Sequence, residues 1–165
     1  MRIKKVALFL VVLFILVSIS GCGLFNTKKT INCEIGKTYS TMWFDFTVHS
    51  IDKVDSYAGY EPAAGYQLYD VLITVKNTFS TIIPTGTWDF FMDDPIFYDY
   101  IWPLDPLDNT MMPTDYDLLL DQSVQYHLVF EIPAGTTKLV FMFVEFYVGN
   151  NGSEKEGDSF ILPVE

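Results

Sequence analysis

The chain has 165 residues, of which 50% are hydrophobic and 16% aromatic, and its 10 basic residues against 21 acidic ones give a formal net charge of −11. That balance argues against nucleic acid as a partner and against a protein lying flat on an anionic lipid surface. The length suits one domain with a sizeable core.

At the N-terminus, Arg2, Lys4 and Lys5 precede the unbroken apolar run Val6 to Val17. A basic start followed by such a run has the n-region and h-region of an export signal. As a helix the run would cover about 18 Å of a hydrocarbon core about 30 Å thick, too little for a span. Ile19-Ser20-Gly21-Cys22 closes it. Cysteine, spacing, apolar run and charged start together resemble the signal of bacterial lipoproteins, with residues 1–21 as a signal-peptide helix. The resemblance implies cleavage between Gly21 and Cys22 and a diacylglycerol, with acyl chains such as palmitate, on the Cys22 sulfur. It also implies a location on the extracytoplasmic face of a bacterial cell membrane, the lipid on Cys22 being the membrane contact. A plain secretory signal with an incidental Cys22 is the alternative.

Three of the 10 basic residues and none of the 21 acidic ones precede Cys22, so a mature chain of 144 residues would keep 7 basic residues against 21 acidic and carry −14. Lipidation of Cys22 would leave Cys33 without an intramolecular partner, so that stability comes from packing. Cys33 alternates with Ile31 and Ile35 and reads as a small buried thiol. Residues 22–30 form a short tether, the segment from Gly23 to Thr30 reaching roughly 26 Å when extended, and residues 31–165 form the domain.

From there the apolar pattern has period two. Met42, Phe44, Phe46 and Val48 alternate with polar or amphipathic neighbours, as do, apart from Leu72 and Val129, Tyr69, Val71, Ile73 and Val75, and then Val124, Tyr126, Leu128, Phe130 and Ile132. Each run predicts a strand with one buried face. Leu139 to Val148 is apolar on both faces except at Glu145, the pattern of a central strand covered on both sides or facing a partner. Shorter strands are predicted at 87–92, 96–101 and 159–162, and turns at Pro84-Thr85-Gly86, Asp93-Asp94-Pro95, Pro133-Ala134-Gly135 and Gly149 to Gly157. No stretch of helix length carries a 3.6-residue stripe. The fold class is therefore all-β, an antiparallel β-sandwich of about seven to nine strands, with a small barrel as competitor.

Gly36 with Trp43-Phe44-Asp45-Phe46-Thr47-Val48, then Tyr69 to Asn77, then Leu119 to Ser123 leading into Leu128-Val129-Phe130-Glu131-Ile132-Pro133, resemble the immunoglobulin-like domains of unknown function found in many Gram-positive lipoproteins. Those are similar to the secreted immunoprotective mycobacterial antigens. The resemblance implies an immunoglobulin-like sandwich and nothing about activity. Where such domains usually have a turn glycine, this chain has Asp121-Gln122.

Two segments carry candidate binding residues. The connection 52–66 places Tyr57, Tyr60 and Tyr66 among glycines and alanines, a cheap and adaptable contact surface, unless the tyrosines fold back over the sandwich end. The segment 88–121 holds nine aspartates and no basic residue, interleaved with Trp102 and Tyr116. Carboxylates are hard-cation ligands, which makes Asp93 and Asp94 candidate calcium ligands against the simpler reading of a solvated acidic face. Within that segment, Trp102 to Pro113 with Met111-Met112 is a proline-rich loop whose exposed apolar residues suit a protein contact. Strand counting places the 52–66 loop at one end of the sandwich, with Asp93-Asp94 and 133–137, and the 102–117 loop at the other.

His49 and His127 are the available neutral-pH bases; both alternate with buried positions, and neither has a nucleophile motif nearby. No cofactor is implied and an enzyme is not expected. The sequence favours a non-catalytic, lipid-anchored binding module whose partner is an envelope protein or a glycan. An acidic, calcium-responsive structural protein of the cell envelope is the alternative.

Overall fold

The computed structural model describes residues 28–94 and 99–164; the expected signal-peptide helix and the expected lipidation at Cys22 lie outside the described residues. The all-β expectation holds. Eleven strands are formed among the described residues: β1 (Thr30–Asn32), β2 (Thr38–Ser40), β3 (Phe44–Val54), β4 (Tyr66–Asn77), β5 (Ile83–Thr85), β6 (Phe90–Asp94), β7 (Asp99–Ile101), β8 (Tyr116–Leu118), β9 (Ser123–Pro133), β10 (Val140–Val148) and β11 (Glu154–Pro163). Nine of them make two layers, a five-stranded sheet ordered β1-β11-β10-β6-β7 and a four-stranded sheet ordered β2-β3-β4-β9, while β5 and β8 pair separately.

The alternation read from the sequence fills the space between the layers. Phe44, Phe46 and Val48 of β3 and Val71, Ile73 and Val75 of β4 meet Phe141 and Phe143 of β10, Phe90 of β6 and Phe160 of β11. Ring contacts tie the layers together: Phe44 to Phe143 at 5.0 Å, Phe46 to Phe160 at 5.5 Å, and Phe130 edge-on to Phe141 at 6.1 Å. Buried rings of this size contribute about 2–3 kcal/mol each, which fits a chain whose stability must come from packing.

Four features depart from the sequence expectations. First, β1 pairs with β11 in parallel, so the sandwich is not wholly antiparallel. Second, the fold begins inside the expected tether, since Lys29 N–H donates to Asp158 (3.0 Å) and its carbonyl accepts from Ser159 N–H (2.8 Å). Third, Thr87–Asp89 is a 3₁₀ turn rather than strand, with Asp89 accepting from Gly86 N–H (2.9 Å) and the Thr85 hydroxyl (2.5 Å). Fourth, Pro84-Thr85 lies in β5 instead of a turn.

Asn77 is fully buried and fastens the end of β4, donating to the carbonyls of Thr81 and Leu118 and accepting from Phe79 N–H. Asp121, in the turn before β9, has φ 59°, the left-handed conformation that favours glycine.

Candidate binding surface

Successive strand residues point to opposite faces, so the partners of the core positions on β4 and β9 project away from the sandwich. On that outer face Asp70 of β4 lies diagonally across from His127 of β9, whose register partner is Leu72. His127 Nδ1 sits 2.8 and 3.0 Å from the two Asp70 carboxylate oxygens. A carboxylate only accepts, so Nδ1 carries the proton and the ring is held in one orientation.

Two connections converge over this pair. Between β3 and β4, Tyr57 and Tyr60 exchange backbone hydrogen bonds of 3.0 and 2.8 Å, closing a turn whose central residues Ala58 and Gly59 both have positive φ (49° and 82°). That is type I′ geometry, which suits glycine well and strains alanine. The second connection, 102–113, runs along the free edge of β9. Leu104 N–H donates to Val129 O (2.7 Å), Met112 N–H to His127 O (3.0 Å), and His127 N–H to Thr110 O (3.0 Å).

The two connections meet at a hydroxyl pair, Tyr57 to Thr110 at 2.8 Å. The Thr110 hydroxyl donates to Asp108 (2.6 Å), so its single proton is spent and Tyr57 is the donor between the two. The Tyr57 ring lies 5.6 Å from the His127 ring. Burial, with the Asp108 and Asp70 charges, pushes the Tyr57 phenol up despite its bond to Thr110; hydrogen bonds from Thr110 hold Asp108 down. Beneath them Leu68, Val129 and Met111 form a second small core, with Tyr60 and Leu104 packed against it. Tyr60 donates to Glu131 (3.2 Å), which also accepts from Ala63 N–H (2.8 Å).

The remaining sequence candidates are scattered. Tyr66 is exposed at the start of β4. Trp102 is on the outer side of the other sheet, 5.6 Å from Trp88 and 5.3 Å from Phe91. Tyr116 packs edge-on against Tyr126 at 5.5 Å, and its hydroxyl is buried without a hydrogen-bond partner among the described residues. Asp93 and Asp94 are successive residues at the end of β6, with Asp94 buried, and burial together with the Asp94 charge pushes the Asp93 carboxyl up from its ordinary value. Among the described residues, no group of three or more His, Cys, Asp or Glu side chains is placed to hold a metal ion.

Two placements correct the sequence reading. The 52–66 and 102–117 loops do not occupy opposite ends: the first does adjoin 133–137, with Ala134 N–H donating to Gly65 O (2.8 Å), but 104–112 crosses the outer sheet face to join it. The short strands β2, β5 and β8 escaped the count of chain reversals. Met111 and Met112 are buried rather than exposed, because each plugs a different core. The Asp70–His127 pair is the feature the sequence reading missed. Both residues stood at outward positions of confidently patterned strands, but a single sequence does not give the cross-strand register.

Neither a protein-family model nor a curated protein matches the sequence. Solved structures do share its fold. The ycdA protein of Bacillus subtilis, assigned as a lipoprotein, is 16% identical with a TM-score of 0.57, over 79% of this chain and 39% of that one. This chain thus spans well under half of that protein. The secreted protein MPT63 of Mycobacterium tuberculosis is 12% identical with a TM-score of 0.56, over 79% of this chain and 96% of that one. An uncharacterized β-sandwich protein of Clostridium difficile is 10% identical with a TM-score of 0.54, over 84% and 96% of the two chains. At these identities the likeness establishes the fold alone, a β-sandwich similar to those of secreted and lipoprotein-assigned bacterial proteins.

Proposed function

We propose that the chain is a lipid-anchored lipoprotein on the extracytoplasmic face of a bacterial membrane, acting as a non-catalytic binding module for an envelope protein or glycan. The Ile19 to Cys22 signal supports the anchor. One observation carries the binding role: Tyr57 and Thr110, 53 residues apart in sequence, join above the Asp70–His127 pair on an outer sheet face. Aromatic residues fixed in advance by a tight turn and a cross-loop hydrogen bond lose little entropy on engaging a ligand. The same bonding speaks against catalysis, because the Thr110 hydroxyl is committed to Asp108 and the Tyr57 hydroxyl to Thr110.

Two measurements test the parts separately. Mass spectrometry of the protein from its native membrane is expected to find diacylglycerol on Cys22, and Cys22→Ser to release it from the membrane. The immobilised domain is expected to retain a component of envelope extract that Tyr57→Ala weakens by roughly tenfold. Equal retention by wild type and variant would discard the assigned surface.

A further inference from the structure

The opposite outer face of the sandwich has a different character. On the five-stranded sheet, Phe91, Tyr100 and Trp102 form one wall of a groove of about 340 Å³ whose floor is Met142, Val144 and Phe146 of β10. This is the strand expected to be covered on both sides or to face a partner, and only its inner side is covered by the second layer. Trp88 (57% exposed), Tyr100 (59%), Phe146 (48%) and Trp102 (40%) stand open on or beside this face. Contiguous apolar surface rimmed by polar groups marks a membrane or partner contact.

We infer that this aromatic face rests on the phospholipid bilayer at the boundary between headgroups and acyl chains, which turns the Tyr57–His127 surface outward. The inference rests on the proposed Cys22 anchor. Lys28 lines the groove and pairs with Glu156 on its rim, so the chain enters the described fold at this face. Only six residues, 22–27, precede Lys28 in the mature chain, and extended they reach about 20 Å. The acyl chains would therefore enter the bilayer within that distance of the groove. Tryptophan and tyrosine are the side chains that settle at the headgroup level, apolar body down and polar edge in water. Lys28 and Glu156, the charged residues that line the groove, offset each other there. The overall negative charge sets two copies of the chain against each other and disfavours self-association through this face.

The test uses the natively lipidated protein, reconstituted in phosphatidylcholine vesicles whose acyl chains are brominated near the headgroup. Two single-tryptophan forms are compared. One keeps Trp102, with Trp43→Phe and Trp88→Phe; the other has all three tryptophans replaced by Phe and carries Tyr57→Trp. The lipid quencher is expected to remove most of the Trp102 emission and to leave the residue-57 emission unchanged, with aqueous acrylamide acting in the opposite sense. Trp102 open to acrylamide and untouched by bromine would overturn the inference while leaving the anchor intact, and would point to a soluble partner. Trp102 shielded from both quenchers, with dimers seen in cross-linking, would overturn it in favour of a second copy. A Cys22 without lipid would overturn both this inference and the anchor.

Discussion

Glu145 and Gly157 face each other across the β10–β11 pair so closely that a Cβ on Gly157 would stand 2.8 Å from the Glu145 carboxylate. The space is used for satisfaction of backbone groups. Glu145, 6% exposed, accepts from Met42 N–H at 2.6 Å and from Asp158 N–H at 3.0 Å, joining the turn before β3 to β11 beside a register shift. Glu145→Ala would leave both donors without that acceptor, and is expected to cost about 3 kcal/mol in urea unfolding. Glu145→Gln keeps one acceptor oxygen and should cost about half as much. A loss below about 0.5 kcal/mol for the alanine variant would show that water replaces the carboxylate at no penalty.

Glu145 also marks how far the sequence could be read. As the lone charge in the Leu139 to Val148 run it was visible, and the strands around it were found because alternation is a local signal. The aromatic core followed from Phe44, Phe46, Phe141 and Phe143 once their faces were set. What Glu145 bonds to was not legible, since Met42 lies 103 residues away. The convergence of Tyr57 and Thr110 escaped for the same reason, and three-residue strands such as β2 and β8 are too short to show a period.

Gly86 is required for room rather than for backbone freedom. Its φ is 174°, open to any residue, but an added Cβ would fall 1.8 Å from the Thr114 carbonyl oxygen. That neighbour is backbone and cannot swing aside. Gly86→Ala is expected to cost about 3 kcal/mol or more, read as a drop in denaturation midpoint. An unchanged midpoint would mean that the segment carrying Thr114 moves freely.

Asp89 supplies a pH dependence of known sign. Burial, outweighing the hydrogen bonds from Thr85 and Gly86, holds its carboxyl above the ordinary 3.8. The native state therefore keeps this proton to higher pH than the unfolded chain. The resulting stability is full below the unfolded value and is lost as pH rises through the folded one. Asp89→Asn retains an acceptor oxygen and removes the titration. Its stability relative to wild type should rise between about pH 4 and pH 7 in urea unfolding. A difference flat across that range would remove Asp89 from the pH dependence.

Cys33 is expected to be inert in the folded protein. It is 7% exposed, and burial pushes its thiol up to about 11. At pH 8 only about one molecule in a thousand would carry the thiolate, the species that alkylates. Iodoacetamide should label Cys33 only after denaturation. Labelling of the native protein at the rate of an exposed thiol would show that the edge formed by β1 opens readily.

The hydroxyl pair of Tyr57 and Thr110 decides whether the two connections act as one surface. Tyr57→Phe removes the donor and keeps the ring beside His127; Thr110→Val removes the acceptor together with the Asp108 contact. A partly exposed neutral hydrogen bond should give a coupling of about 0.5–1.5 kcal/mol in a double-mutant cycle on stability. Binding should respond more steeply than stability, because the bond fixes the tyrosine in advance of the ligand. Tyr57→Phe is therefore expected to weaken the retained envelope component several-fold while shifting unfolding by about 1 kcal/mol or less. A cycle with no coupling would mean that the β3–β4 turn holds Tyr57 unaided, and that 104–112 closes the edge of β9 without taking part in recognition.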